Sequence, residues 1–85
     1  MSTRDRLRQF IVDTFFVDDF ADDESFLRSG IIDSTGMMEL VLFIEQEFGV
    51  KVLDTELLPK NLDSLERASA FVEQKTAARP MVHAT

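Results

Sequence analysis

The stretch GIIDSTGMMELVLFIEQEFG, residues 30–49, sets an acid and a serine directly ahead of a strongly apolar run. Asp33 and Ser34 are both good helix N-caps. If Asp33 takes that role, the Ser34 hydroxyl is left free in the first turn and points outward. Backbone N–H groups there point along the helix axis, and the helix dipole favours an anion. A phosphate ester on Ser34 would sit in a compatible field. On these residues alone the other assignment, Ser34 as a plain cap, stays open.

No other set of residues suggests chemistry. The chain has no cysteine, so it offers no disulfide framework and no thiolate metal cage. Its one histidine, His83, stands in the tail, and no Ser/His/Asp or metal constellation accompanies it. The acids Asp18, Asp19, Asp22, Asp23 and Glu24 invite a calcium reading. A calcium loop needs oxygen ligands at alternate positions and a glycine at the sixth, and no frame here supplies both. Weak divalent-cation binding that relieves repulsion suits these acids better. The expectation is a non-enzyme with no catalytic residues and no resident metal.

The elements that must position Ser34 follow from periodicity. Leu7, Phe10, Ile11, Thr14 and Phe15 form one helical stripe, with Ser2 or Thr3 as its cap and Phe16 and Val17 at its close. Residues 17–33 read as a long loop pinned to the core by Phe20, Phe26, Leu27, Ile31 and Ile32. A second helix opens at Asp33 or Ser34 and stops at Gly49. Asp54 can cap a short turn through Leu57 and Leu58, which Pro59 then ends. A last helix begins with the D-x-x-E capping box Asp63–Glu66 and turns Leu65, Ala68, Phe71 and Val72 inward. No alternating strand pattern occurs. The predicted fold is therefore all-α: a four-helix bundle of three main helices and a short third one, with a long first loop. It is expected to fill residues 1–75, leaving 76–85 as a flexible tail.

On a wheel at about 100° per residue, Met37, Leu40, Val41, Ile44 and Phe48 share the core face of the second helix. Thr35, Met38, Glu39, Leu42, Glu45 and Gln46 share the opposite face, with Phe43 at the border. An outward apolar pair, Met38 and Leu42, rimmed by carboxylates reads as a protein-docking patch. The competing expectation is that the long loop covers it.

Charge points the same way. The 85 residues carry a net −7, distributed as +2 over residues 1–12, −10 over 13–63 and +1 over 64–85. Such a body repels nucleic acid and anionic membrane and attracts proteins with basic surfaces. The opening MSTRDRLRQF lacks the apolar core of a signal peptide, and no run reaches membrane-spanning length. A cytoplasmic monomer is expected.

Taken together, GIIDSTGMMELVLFIEQEFGVKV, with DDESFLRSG ahead of it and LDTELLPKNLDSLERASAFVEQK behind it, resembles the acyl carrier and peptidyl carrier protein family across residues 5–75. The resemblance implies that Ser34 is the attachment point of 4′-phosphopantetheine, that Asp33 matches the residue before it, and that Thr35 to Phe48 form the recognition helix. Thr35, Met38, Glu39, Leu42 and Glu45 would then meet partner enzymes. Those partners would be a phosphopantetheinyl transferase, a loading ligase or acyltransferase, and ketosynthase, condensation or tailoring enzymes. Carriers of fatty acid synthesis usually follow the serine with leucine and an acid, where this chain has Thr35-Gly36. Gln46 also replaces a common acid. The expected role is a discrete carrier dedicated to a polyketide or nonribosomal peptide pathway. A general fatty-acid carrier, a D-alanyl carrier and an unmodified helical interaction module are the alternatives.

Overall fold

A computed structural model describes residues 2–78, and these are helical with no strand among them. The elements are α1 (Thr3–Phe15), α2 (Phe26–Ser29), α3 (Ser34–Phe48), a 3₁₀ turn (Asp54–Glu56), α4 (Pro59–Leu62) and α5 (Leu65–Ala78).

Helix α1 starts on a full capping box. The Ser2 hydroxyl accepts from the Asp5 amide at 3.1 Å, and the Asp5 carboxylate accepts from the Ser2 amide. It ends at Phe16, which adopts the left-handed conformation at φ 54° with its ring 90% exposed. Helix α3 ends at Gly49, φ 65°, where glycine carries no steric penalty.

The core joins Leu7 and Ile11 of α1, Leu40, Val41 and Ile44 of α3, and Leu65, Ala68, Phe71 and Val72 of α5. Leu62 of α4 and Phe20, Phe26, Ile32, Val50 and Val52 from the connections complete it. A line of rings follows the α1–α3 seam: Phe10 stacks on Phe43 at 4.1 Å, and Phe15 and Phe48 meet that pair edge-on.

Several local expectations need correction. The first loop is interrupted by α2, a single turn capped by Ser25 and closed by Gly30 at φ 81°. Leu27 does not pin the loop, because it is exposed while Phe26 beside it is fully buried. Pro59 starts a helical turn instead of ending one. It occupies a first-turn position, where its missing N–H is no loss. Asp63 does not cap α5, since the Ser64 hydroxyl accepts from the Arg67 amide at 3.0 Å. Asp63 is buried and reaches across the fold. Its carboxylate accepts from the Ser25 hydroxyl and from the Leu27 amide, the latter at 2.9 Å, while its carbonyl accepts from the Phe26 amide. Helix α5 also runs on through Ala78, past the expected end of the domain. The rest of the expected tail, including His83, lies outside the described residues.

The acids of the first loop face arginines of α1. Arg8 bonds Asp19 at 2.7 Å and also Asp22, and Arg4 bonds Asp22 at 2.8 Å. Arg8 further donates to the Phe20 carbonyl and lies over the Phe20 ring. Guanidinium groups thus neutralise part of the cluster that suggested calcium. No group of three or more candidate metal ligands occurs among the described residues.

Candidate functional site

The N-terminus of α3 is built by Asp33. Its backbone is extended, and its Oδ1 accepts from the Gly36 amide at 2.7 Å. Its carbonyl takes the Met37 amide at 2.9 Å, the first bond of the helix. Asp33 is therefore the cap, and the choice between the two residues is resolved. Ser34 is the first helical residue, exposed, and its hydroxyl makes no hydrogen bond with any described residue. A free hydroxyl at this position, above the first-turn N–H groups, suits an anionic ester. The residues present fit a covalently attached phosphate group.

Gly36 sets how closely α1 approaches this turn. A Cβ there would come within 2.7 Å of Phe15 Cε1 and 3.1 Å of Ile32 Cγ2. The glycine is thus explained by packing as well as by any pathway signature. Gly36→Val should lower stability by about 1–3 kcal/mol through overpacking. A urea midpoint equal to that of the wild type would show that the Phe15 ring moves aside without cost.

Beside Ser34 lies an open apolar cleft of about 240 Å³, lined by Leu27, Ser34, Met37, Met38, Leu57, Leu58, Pro59 and Leu62. Reasoning from periodicity did not assemble this cleft. Its far wall comes from the Leu57-Leu58-Pro59 run, which is too short to show a period. Its near wall includes Leu27, which had been assigned to the core.

The outward face of α3 is as expected for Met38 and Leu42, exposed by 50% and 53%, so the loop does not cover them. Thr35 and Glu39 are exposed, and Glu39 takes part in no ion pair among the described residues. Glu45 is placed differently. It is half-buried, and its Oε2 accepts from the Val52 amide at 2.9 Å, holding the irregular connection after Gly49. Part of its carboxylate is therefore engaged within the fold, while Thr35, Met38, Glu39 and Leu42 lie open along one face.

The 3₁₀ turn that precedes Leu57 and Leu58 is tied down by Glu56. Its Oε1 accepts from the Leu53 amide at 2.9 Å, and Lys75 of α5 spans both its oxygens at 2.8 and 3.0 Å. The Leu53 amide first, then Lys75, hold the Glu56 carboxyl below its ordinary value.

Comparison with known proteins agrees with this geometry. The family model described as "Phosphopantetheine attachment site" matches residues 5–72. An acyl carrier protein of Solidesulfovibrio magneticus is 30% identical over 77 residues, covering 88% of this chain and 96% of the relative. D-alanyl carrier proteins of Streptococcus gordonii and Streptococcus thermophilus are each 32% identical over 71 residues, covering 81% of this chain and 86% of each relative.

Proposed function

The chain belongs to the phosphopantetheine-attachment family of carrier proteins, and on that premise we propose that Ser34 bears the 4′-phosphopantetheine arm. The protein then acts as a carrier of a small acyl or aminoacyl group. The observation that carries this reading is the division of labour at the start of α3. Asp33 satisfies the helix end, and Ser34 keeps an unbonded, exposed hydroxyl. When attached, the arm supplies a thiol that holds the load as a thioester. The chain contributes no cysteine that could compete for that load. Its own work is to present the arm from a rigid helix end and to dock enzymes beside it at high effective concentration.

Met38 and Leu42 offer apolar contact, and Glu39, five residues after Ser34, offers an exposed carboxylate with no ion-pair partner among the described residues. A small patch with charged edges favours fast, reversible encounters. The partners in this reading are a phosphopantetheinyl transferase, a loading ligase or acyltransferase, and the enzymes that use the load.

The test is incubation with coenzyme A, Mg²⁺ and a broad-specificity phosphopantetheinyl transferase, followed by intact-mass measurement. One phosphopantetheine per chain is expected. An unmodified protein, alongside a control carrier that is modified, would overturn the reading.

Thr35-Gly36 and Gln46 favour a pathway-dedicated carrier, of polyketide or nonribosomal peptide type, over the general fatty-acid one. A D-alanyl carrier is a specific second reading, because two D-alanyl carrier proteins stand among the relatives. Incubating the pantetheinylated protein with ATP, D-alanine and a D-alanine-activating ligase separates the two. A D-alanyl mass increment supports the second reading, and its absence with an active ligase counts against it.

Glu39→Lys reverses charge on the open face without touching the core. It should slow modification by the transferase, more at low ionic strength than at high, because screening removes the difference. Equal rates for variant and wild type at low salt would remove Glu39 from the docking face.

A further inference from the structure

We propose that the exposed ring of Phe16 is a docking anchor for the phosphopantetheinyl transferase, presented at the end of α1 beside the attachment turn. The inference rests on the carrier reading above. Phe16 is anomalous in two ways. Its backbone is left-handed, at φ 54° and ψ 44°, a conformation that disfavours a bulky residue and that glycine adopts freely. Its ring is 90% exposed and meets no other ring or cation among the described residues, whereas every other phenylalanine does. Helix α3 closes on Gly49 in the same conformation without either cost. A strained, exposed aromatic that serves no contact in the fold points to a contact outside it.

The ring is held out, not left loose. Phe15 and Val17 on either side both pack against the core, and the left-handed turn between them leaves Phe16 in solvent. A side chain fixed in this way loses little freedom on binding.

Its place in the fold selects the occupant. Gly36, two residues after Ser34, lies so close to α1 that a Cβ there would come within 2.7 Å of the Phe15 ring. The end of α1 therefore abuts the first turn of α3. Thr14, two residues before Phe16, shares a groove with Glu39 and Leu42 of the outward face. An enzyme that joins a phosphate to the Ser34 hydroxyl must cover this turn, and the transferase is that enzyme. Charge agrees. Residues 9–27 and 34–48 contain no lysine or arginine. Asp13, Asp18 and Glu39 are exposed and form no ion pair among the described residues. The matching surface is an apolar socket edged by lysine and arginine.

The experiment compares wild type, Phe16→Gly, Phe16→Asn and Phe16→Tyr. For modification by the transferase, Phe16→Gly and Phe16→Asn should each raise KM about three- to tenfold with kcat little changed, the pattern of weakened docking. Asparagine tolerates the left-handed backbone without the flexibility of glycine, so agreement between the two assigns the loss to the ring. Phe16→Tyr keeps the ring and should keep a KM close to that of the wild type. The loss should be the same at low and high ionic strength, because an apolar contact is not screened, whereas the effect of Glu39→Lys fades. Phe16→Gly should at the same time unfold at a higher urea concentration than the wild type, since strain is relieved and no packing is lost. A binding readout needs no turnover. In Ser34→Ala, which cannot be modified, the Phe16 aromatic NMR signal should shift on titration with transferase while that of buried Phe71 stays in place.

Unchanged KM in both Phe16→Gly and Phe16→Asn, or a Phe16 signal that does not respond to the transferase, overturns the inference while leaving the carrier reading in place. A lowered urea midpoint in Phe16→Gly assigns the ring to the fold and also overturns it. A wild type that is never modified overturns the carrier reading, and this inference with it.

Discussion

Alanine at position 34 should abolish phosphopantetheine attachment completely while leaving the helical bundle as stable as before. The two halves of that expectation have separate physical causes. Attachment needs a hydroxyl, and alanine has none. Stability is preserved because the helix end does not depend on Ser34. Asp33 accepts the Gly36 amide and begins the helical bonding, and the Ser34 hydroxyl bonds nothing in the fold. Alanine is also a good residue in a first turn, so the change should stay within about 0.5 kcal/mol of wild type. Intact mass after incubation with transferase and coenzyme A reads the first half, and a urea titration reads the second. Asp33→Ala should show the reverse order in stability, losing about 0.5–2 kcal/mol with the cap. Attachment that persists in Ser34→Ala would move the arm to another residue and undo the assignment.

The largest loss of stability should come from the loop, not from a long helix. Phe26→Ala removes a fully buried ring that meets Phe20 edge-on at 5.7 Å. Truncations of this kind cost about 3–5 kcal/mol. A small domain has about 5–15 kcal/mol in total. The variant should therefore unfold at a much lower urea concentration. Met38→Ala is the matched control: it removes a comparable apolar side chain from a half-exposed site and should change stability by about 0.5 kcal/mol or less. If both variants unfolded at the wild-type midpoint, the loop would not be part of the core.

What could be read from the chain alone follows from how far each signal extends. The bounds of α3 were legible to within one residue because the adjacent caps Asp33 and Ser34 and the glycine Gly49 bracket fifteen residues with a continuous apolar face, and only the structure assigns the cap to Asp33. The exposure of Met38 and Leu42 followed from the same wheel. Single turns were not legible. Phe26–Ser29 and Pro59–Leu62 are each four residues long, roughly one helical period, so neither can display a repeat. Pro59 compounded the difficulty, since proline serves equally as the last residue before a break and the first of a new turn. Asp63 and Ser64 are adjacent capping residues, and only the path of the first loop decides that Asp63 is needed elsewhere. Glu45 fell on the outward face of the wheel, and Lys75 carried no signal of its own in the sequence. Their partners, Val52 and Glu56, are set by chain reversals that leave no local trace in sequence.

The first loop has a mechanical meaning for the protein's lifetime. Arg4 and Arg8 of α1 bind it at Asp19 and Asp22, the Glu66 amide of α5 also bonds the Asp22 carbonyl, and Asp63, just ahead of α5, holds Ser25, Phe26 and Leu27. The longest irregular stretch among the described residues is thus fastened to both the first and the last helix. A protease cannot thread this segment into its groove by a small local opening, because lifting it strips anchors from the first and last helices together. Its susceptibility to cleavage is thereby tied to whole-domain unfolding, and the usual weak point of a small helical protein is guarded by the very acids that made it look loose.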